Sequence, residues 1–342
     1  MSRPKSNHPS RRCVVGGAAF AIAGGVASPA LLRSTAAHAA WPADKPIKMI
    51  VPNTPGGPSD VAARLIAPGL QEALGGSFIV ENIGGGGGNI GVGRAARSDP
   101  DGYTLLISTS GYAINPSLFD NIPYDALKDF APIAELATTP NIFCVQPSLG
   151  VKTMKDFVAL IKKDPAKFNF AVPPVGNTPH LATELFKLRE GVKEMATLFH
   201  TGGGQAMQAL LSGSVQCYCG AISTARAHVT AGTAVALAVT GETRWHDLQD
   251  TPTMLEVGYK DFLFDNYVAL SAPVKTAPEM VARLEKETIA LLRKPDIAEK
   301  FVNTGFKVEA RTGTAHMARL QREVPMYARI VQEAGIRLPK GG

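Results

Sequence analysis

Apolar and polar positions along this chain follow two rhythms. Short apolar runs end in turn residues, and longer stretches place apolar residues three or four apart. The first rhythm predicts buried strands and the second amphipathic helices. Ile47–Val51, Phe78–Val80 and Tyr103–Ser108 read as strands, and Val61–Leu74 reads as a helix closed by Gly75-Gly76. A second series follows. Asn141–Val145, Asn169–Val172, the stretch around Cys217 and Cys219, and Val235–Val239 read as strands. Helices are predicted over Thr153–Lys163, after Pro179, and over Ala206–Leu211. Beyond FLFDNYVALSAP, helices are expected over Pro278–Leu292, over Asp296–Thr304 and within Thr314–Ala334. Repeated strand-loop-helix units predict an α/β fold with mixed, mainly parallel sheets. They fall into two groups, before and after about residue 140, which predicts two lobes with a cleft between them.

The turns between these elements carry the candidate chemistry. Pro55, Gly56, Gly57, Ser59 and Asp60 join the first strand to its helix. Thr109, Ser110 and Gly111 end the third strand, where open α/β sheets bind ligands. Gly176, Asn177, Thr178 and His180 open one helix, and Gly202, Gly203 and Gly204 open another. Loops with few side chains at helix starts leave N–H groups and the helix dipole facing an anion. An ordinary strand-to-helix connection has the same composition, so each loop alone supports both readings. His180 either faces a ligand or solvates its helix start. Gly84–Gly88 predict a loop where the backbone closely approaches another group. The PGGPSD spacing does not fit a dinucleotide site, which needs GxGxxG after the first strand.

Charge and composition narrow the classes. The 342 residues are 45% hydrophobic and 19% charged, which is globular. The formal charge of +6 points at first to nucleic acid. Arg3, Lys5, Arg11, Arg12 and Arg33 all precede residue 40, in a stretch with no acid. Removing these five from 35 basic residues leaves 30 against 29 acidic ones, with no basic block, so nucleic-acid binding is not expected. Residues 1–39 have a basic start, an apolar Ala/Gly-rich run from Cys13 to Leu32, and Ala37-His38-Ala39 as a small-x-small cleavage site. That is the layout of an export signal, with Ser10-Arg11-Arg12 loosely resembling the twin-arginine type. A retained membrane anchor is the alternative, weakened by Gly16, Gly17, Gly24, Gly25 and Pro29. Cys144, Cys217 and Cys219 are expected to be small buried residues, although an exported protein permits a disulfide. No metal-ligand spacing or cofactor motif is present, so neither is expected.

VPNTPGGPSDVAARLIAPGL, VENIGGGGGNIG, DPDGYTLL, AINPSLF, IPYDALKDFAPIA, HLATELF and LAVTGETR stand in an order and spacing that resembles one family. It is that of the periplasmic substrate-binding proteins of tripartite tricarboxylate transporters, the Bug family, and the resemblance covers about residues 45–336. It implies a two-lobed type II periplasmic-binding-protein fold, with residues 40–140 plus 264–342 in one lobe and 141–263 in the other. It implies a monomer that captures a small carboxylate, whether a di- or tricarboxylate, an amino acid or an aromatic acid, and hands it to a two-subunit membrane permease, with no chemistry done. The first loop and Thr109, Ser110 and Gly111 would hold one end of the ligand. Gly176, Asn177, Thr178 and His180, with Gly202, Gly203 and Gly204, would meet the other. Departures fall in or near the second lobe: Phe199-His200-Thr201-Gly202 stands where many relatives have PYKG, Gln216 replaces an acid, and Asn266-Tyr267 stands where an aromatic pair is often found. A ligand-sensing subunit for a membrane receptor kinase would use the same cleft. A hydrolase using Ser110 or Ser59 with His180 or His200 lacks a GxSxG elbow.

Overall fold

The computed structural model describes residues 41–337; the export-signal reading of residues 1–39 lies outside them. The chain opens with β1 (Ile47–Val51), α1 (Pro58–Leu74), β2 (Phe78–Asn82), α2 (Asn89–Ala96), β3 (Thr104–Thr109) and α3 (Gly111–Leu118). Next come β4 (Phe130–Thr139), β5 (Asn141–Val145), α4 (Met154–Ile161), β6 (Asn169–Val172) and α5 (Thr178–Glu190). Then follow β7 (Ala196–Phe199), α6 (Gly203–Ser212), β8 (Cys217–Ala221), α7 (Ile222–Thr230) and β9 (Val235–Val239). The chain closes with β10 (Asn266–Pro273), α8 (Pro278–Leu292), α9 (Pro295–Asn303), β11 (Lys307–Thr312) and α10 (Gly313–Glu333).

Two sheets result, ordered β11-β4-β10-β3-β1-β2 and β7-β6-β8-β5-β9. The chain passes from the first sheet to the second at Pro140, and returns through residues 240–265. The sheets are mixed, as expected, but parallel pairing does not dominate. It is confined to β1 with β2 and β3, and β6 with β7 and β8. β4, β5, β10 and β11 pair antiparallel. The physical reason is the double passage: a strand that leaves one sheet and a strand that returns to it must run in opposite directions. The ten residues of β4 show no clean alternation, because nearly all are buried. That is why their pattern does not announce a strand.

Local boundaries follow local chemistry. α1 begins three residues before Val61 because Pro58, with φ already fixed, sits at its first position. It ends at Gly75 in the left-handed conformation. α3 was not expected, since Gly111 and Pro116 both disfavour a helix interior. Tertiary packing overrides them: Tyr112, Ala113 and Ile114 are buried, and the Tyr112 ring stacks on Tyr124 at 5.2 Å. Cys144, Cys217 and Cys219 are free and buried. Cys217 and Cys219 join one apolar core and Cys144 another, so Cys144 packs away from the other two. Burial pushes the Cys219 thiol up to about 12.

Three side chains tie the passages between sheets together. Asn141 Nδ2 donates to Thr178 Oγ1 (3.0 Å), Thr178 Oγ1 donates to Asn266 Oδ1 (2.8 Å), and Asn266 Nδ2 donates to Asn141 Oδ1 (3.2 Å). Beneath them lies a buried ionic cluster. Arg319 donates to Glu323 (2.7 Å), to Glu135 (3.0 Å) and to the Asp265 carbonyl (3.3 Å), with its guanidinium over the Tyr267 ring. His316 Nδ1 donates to the other Glu135 oxygen at 2.9 Å.

Candidate functional site

Four helices begin on the wall of one cleft. α1, α3, α5 and α6 have Gly57, Ser110, Asn177 and Gly202 as N-caps, and only Asn177 caps with its side chain, to His180 N. The cleft comprises two adjoining cavities of about 270 and 460 Å³. Both are lined by Asn53, Thr109, Asn177 and Asn266. Of the expected residues, Gly57, Ser59, Thr109, Ser110, Gly111, Gly176, Asn177, Thr178 and Gly203 line the walls. Pro55, Gly56, Asp60, His180, Gly202 and Gly204 do not line either cavity. Among the described residues, no charged side chain lines either cavity.

Most of the side-chain oxygens expected to bind are already engaged within the protein. Ser110 Oγ donates to the Asp265 carbonyl and accepts from Tyr267 N. Ser59 Oγ accepts from Asn53 Nδ2, Asn177 Oδ1 accepts from His180 N, and Thr178 Oγ1 belongs to the triangle above. These side chains position backbone. The N–H groups of Ser59, Gly111, Thr178 and Gly203, one from each helix start, have no partner among the described residues. The Thr139 hydroxyl on the wall of the larger cavity is buried and likewise without a partner among them. The site is therefore an anion cradle made of main-chain donors, helix dipoles and hydroxyls.

Asp60 has a structural role. Its side chain is almost fully buried, accepts from Gly56 N at 2.9 Å, and pairs with Arg64 at 3.0 Å. The Arg64 hydrogen bond is the main cause holding its carboxyl below the usual range. Such a group stabilises the fold above its unfolded value of about 3.9, and loses that contribution as pH falls through the lowered folded value. Asp60→Ala should therefore cost about 1.5–3 kcal/mol of stability at pH 7, a cost that shrinks as pH falls below about 3.9, with affinity changed less than ten-fold. Urea melts above and below that pH check this; an unchanged midpoint with lost binding would instead make Asp60 a ligand contact.

His180 acts through the loop. Its ring is buried, Nδ1 accepts from Gly176 N at 3.1 Å, and it meets Phe199 edge-on at 4.8 Å. Burial lowers its pKa to about 4, so it is neutral at pH 7. The glycine run does approach other groups closely. A Cβ on Gly87, whose φ is 67°, would stand 2.9 Å from the Phe119 ring, and Asn115 Nδ2 donates to its carbonyl. Residues that sequence reasoning missed include Asn53, Leu118, Thr139, Pro174, Val175, Ser223 and Thr224, while Asn266 stood out only as a departure from the family pattern. Asn53 was within reach, standing at the C-terminal end of β1 as Thr109 does for β3.

The family model described as tripartite tricarboxylate transporter family receptor matches residues 62–336. BugT of Bordetella pertussis is 33% identical over 296 residues, 86% of this chain and 90% of its own. The solved structure of R. palustris Rpa4515 with adipate has a TM-score of 0.70 at 30% identity, covering 87% of this chain and 99% of that one. MatC from Rhodopseudomonas palustris with bound malate has a TM-score of 0.66 at 26% identity, covering 84% and 99%.

Proposed function

The chain belongs to the tripartite tricarboxylate transporter receptor family, and on that premise we propose that it captures one small carboxylate per monomer in this cleft. Residues 40–140 plus 264–342 form one lobe and 141–263 the other, closing on the ligand and delivering it to a two-subunit membrane permease. Residues 1–39 export the chain to the periplasm. The described residues contain no helix long and apolar enough to cross a membrane.

The observation that carries this reading is the set of four unpartnered helix-start N–H groups on a wall without charged side chains. Helix starts favour anions, and neutral donors hold a carboxylate without the desolvation that a buried cation would require. Two of the starts come from the first sheet's helices and two from the second's, so an anion touching both favours the closed arrangement over the open one. Adipate and malate in the two solved relatives agree with a carboxylate. Ser59 and Ser110 bond no histidine among the described residues, which favours binding over hydrolysis.

A thermal-shift screen of carboxylates, neutral sugars and cations tests the reading. A true ligand at about 100 times its Kd adds roughly 2.7 kcal/mol to the native state. A melt moved by a sugar or a cation, with every carboxylate inert, would refute it.

A further inference from the structure

The smaller cavity changes character along α3. Gly111, Ile114, Asn115 and Leu118 all line it, and their spacing puts them on one face of that helix. At about 1.5 Å per residue, this stripe carries the wall roughly 10 Å from the helix start. The near end holds Thr109, Ser110 and Gly111. The far end is Leu118 and Phe119, with Gly87 from the glycine loop and with Pro174 and Val175 contributed by the β6–α5 loop; the Gly87 and Val175 N–H groups have no partner among the described residues. Asn115, the polar member of the stripe, donates its amide to Gly87 O at 2.9 Å and to Asn89 Oδ1 at 2.8 Å. Its donors are committed to the glycine loop. Among the described residues no cation lines this end.

The geometry points to a ligand with unlike ends: a monocarboxylate whose other end is hydrocarbon, either aryl or short alkyl. The carboxylate sits at the helix starts, and the hydrocarbon lies along Leu118 and Phe119 against Val175. A second carboxylate at that end would lose water against apolar side chains with no cation, and only the Gly87 and Val175 N–H groups, to offset the loss. The hydrocarbon end leaves water at the same place, which favours binding. This inference rests on the carboxylate reading of the cleft and goes beyond it by assigning the other end of the ligand.

Calorimetric titration of the exported chain with 3-phenylpropanoate, adipate, citrate and the neutral 3-phenylpropanamide tests it. The expected result is 3-phenylpropanoate at least ten-fold tighter than adipate or citrate, with the amide at least ten-fold weaker than the acid. Adipate or citrate binding as tightly as 3-phenylpropanoate, or tighter, would overturn the inference and leave the carboxylate function standing. The amide matching its acid, or no carboxylate binding at all, would overturn both. Leu118→Asn should weaken 3-phenylpropanoate at least ten-fold, measured on protein whose melting temperature is unchanged. Val175→Thr, which keeps the shape, should weaken it in the same direction should the first variant fold poorly. Affinity unmoved in a folded variant would also overturn the assignment.

Discussion

Gly111→Asp is expected to weaken carboxylate binding by two orders of magnitude or more, while leaving the fold as stable as before or slightly more so. Gly111 is the first residue of α3 and lies on the cavity wall. A Cβ there meets nothing closer than Thr109 Oγ1 at 3.8 Å, so the side chain fits without displacing its neighbours. An acid in the first turn complements the helix dipole and adds about 0.3–1 kcal/mol. The same charge about 5 Å from a bound carboxylate, at an effective dielectric of 20, costs about 3 kcal/mol. Stability and affinity therefore move in opposite directions. Gly111→Asn fills the same space without charge and separates crowding from repulsion. Equal losses in the two variants, measured by calorimetry, would remove the anion reading of this helix start.

The second large effect is expected far from the cleft wall. Arg319→Met should lower stability by about 3–5 kcal/mol at pH 7, because it leaves Glu135 and Glu323 buried without their shared cation. Burial works to raise the Glu135 pKa, but His316, Arg319 and Arg311 overcome it and hold it down to about 2. In the native protein that group stabilises the fold above about pH 4.5, and the contribution fades as pH falls toward 2. With Arg319 gone, Glu323, whose carboxyl burial already raises, loses the cation that opposes burial, and a group whose folded pKa is raised is most stable at low pH. The deficit should shrink between pH 7 and pH 5. Denaturant melts across that range decide it, and a deficit that grows on acidification would refute this account. Arg319 also donates to the Asp265 carbonyl, which accepts Ser110 Oγ at 3.2 Å at the start of α3. The variant should therefore loosen the passage between the sheets as well as the core.

How much of this was legible beforehand differs by residue. β1, β6 and β9 appear where the apolar runs place them, and α8 spans its expected residues. The helix starts after PGG, after GN and at GGG are also legible, because proline fixes φ and glycine leaves backbone bare within a few residues of sequence. Their N–H groups need no distant partner to be available. The part each side chain plays was hidden. Ser110 and Thr109 are adjacent and alike in type, yet Ser110 holds Asp265 and Tyr267, more than 150 residues away. Asp60, in a loop suited to anions, turns inward to Gly56 and Arg64. Leu118 and Phe119 line the cavity because the β6–α5 loop stands across from them, which no local pattern of the sequence marks. The sequence alone determined where backbone donors are left free, because those depend on φ and on the chain a few residues either side. Only the tertiary structure decided which side chains are committed to the protein and which face the cleft, because a hydrogen bond goes to whichever partner the fold brings within about 3 Å.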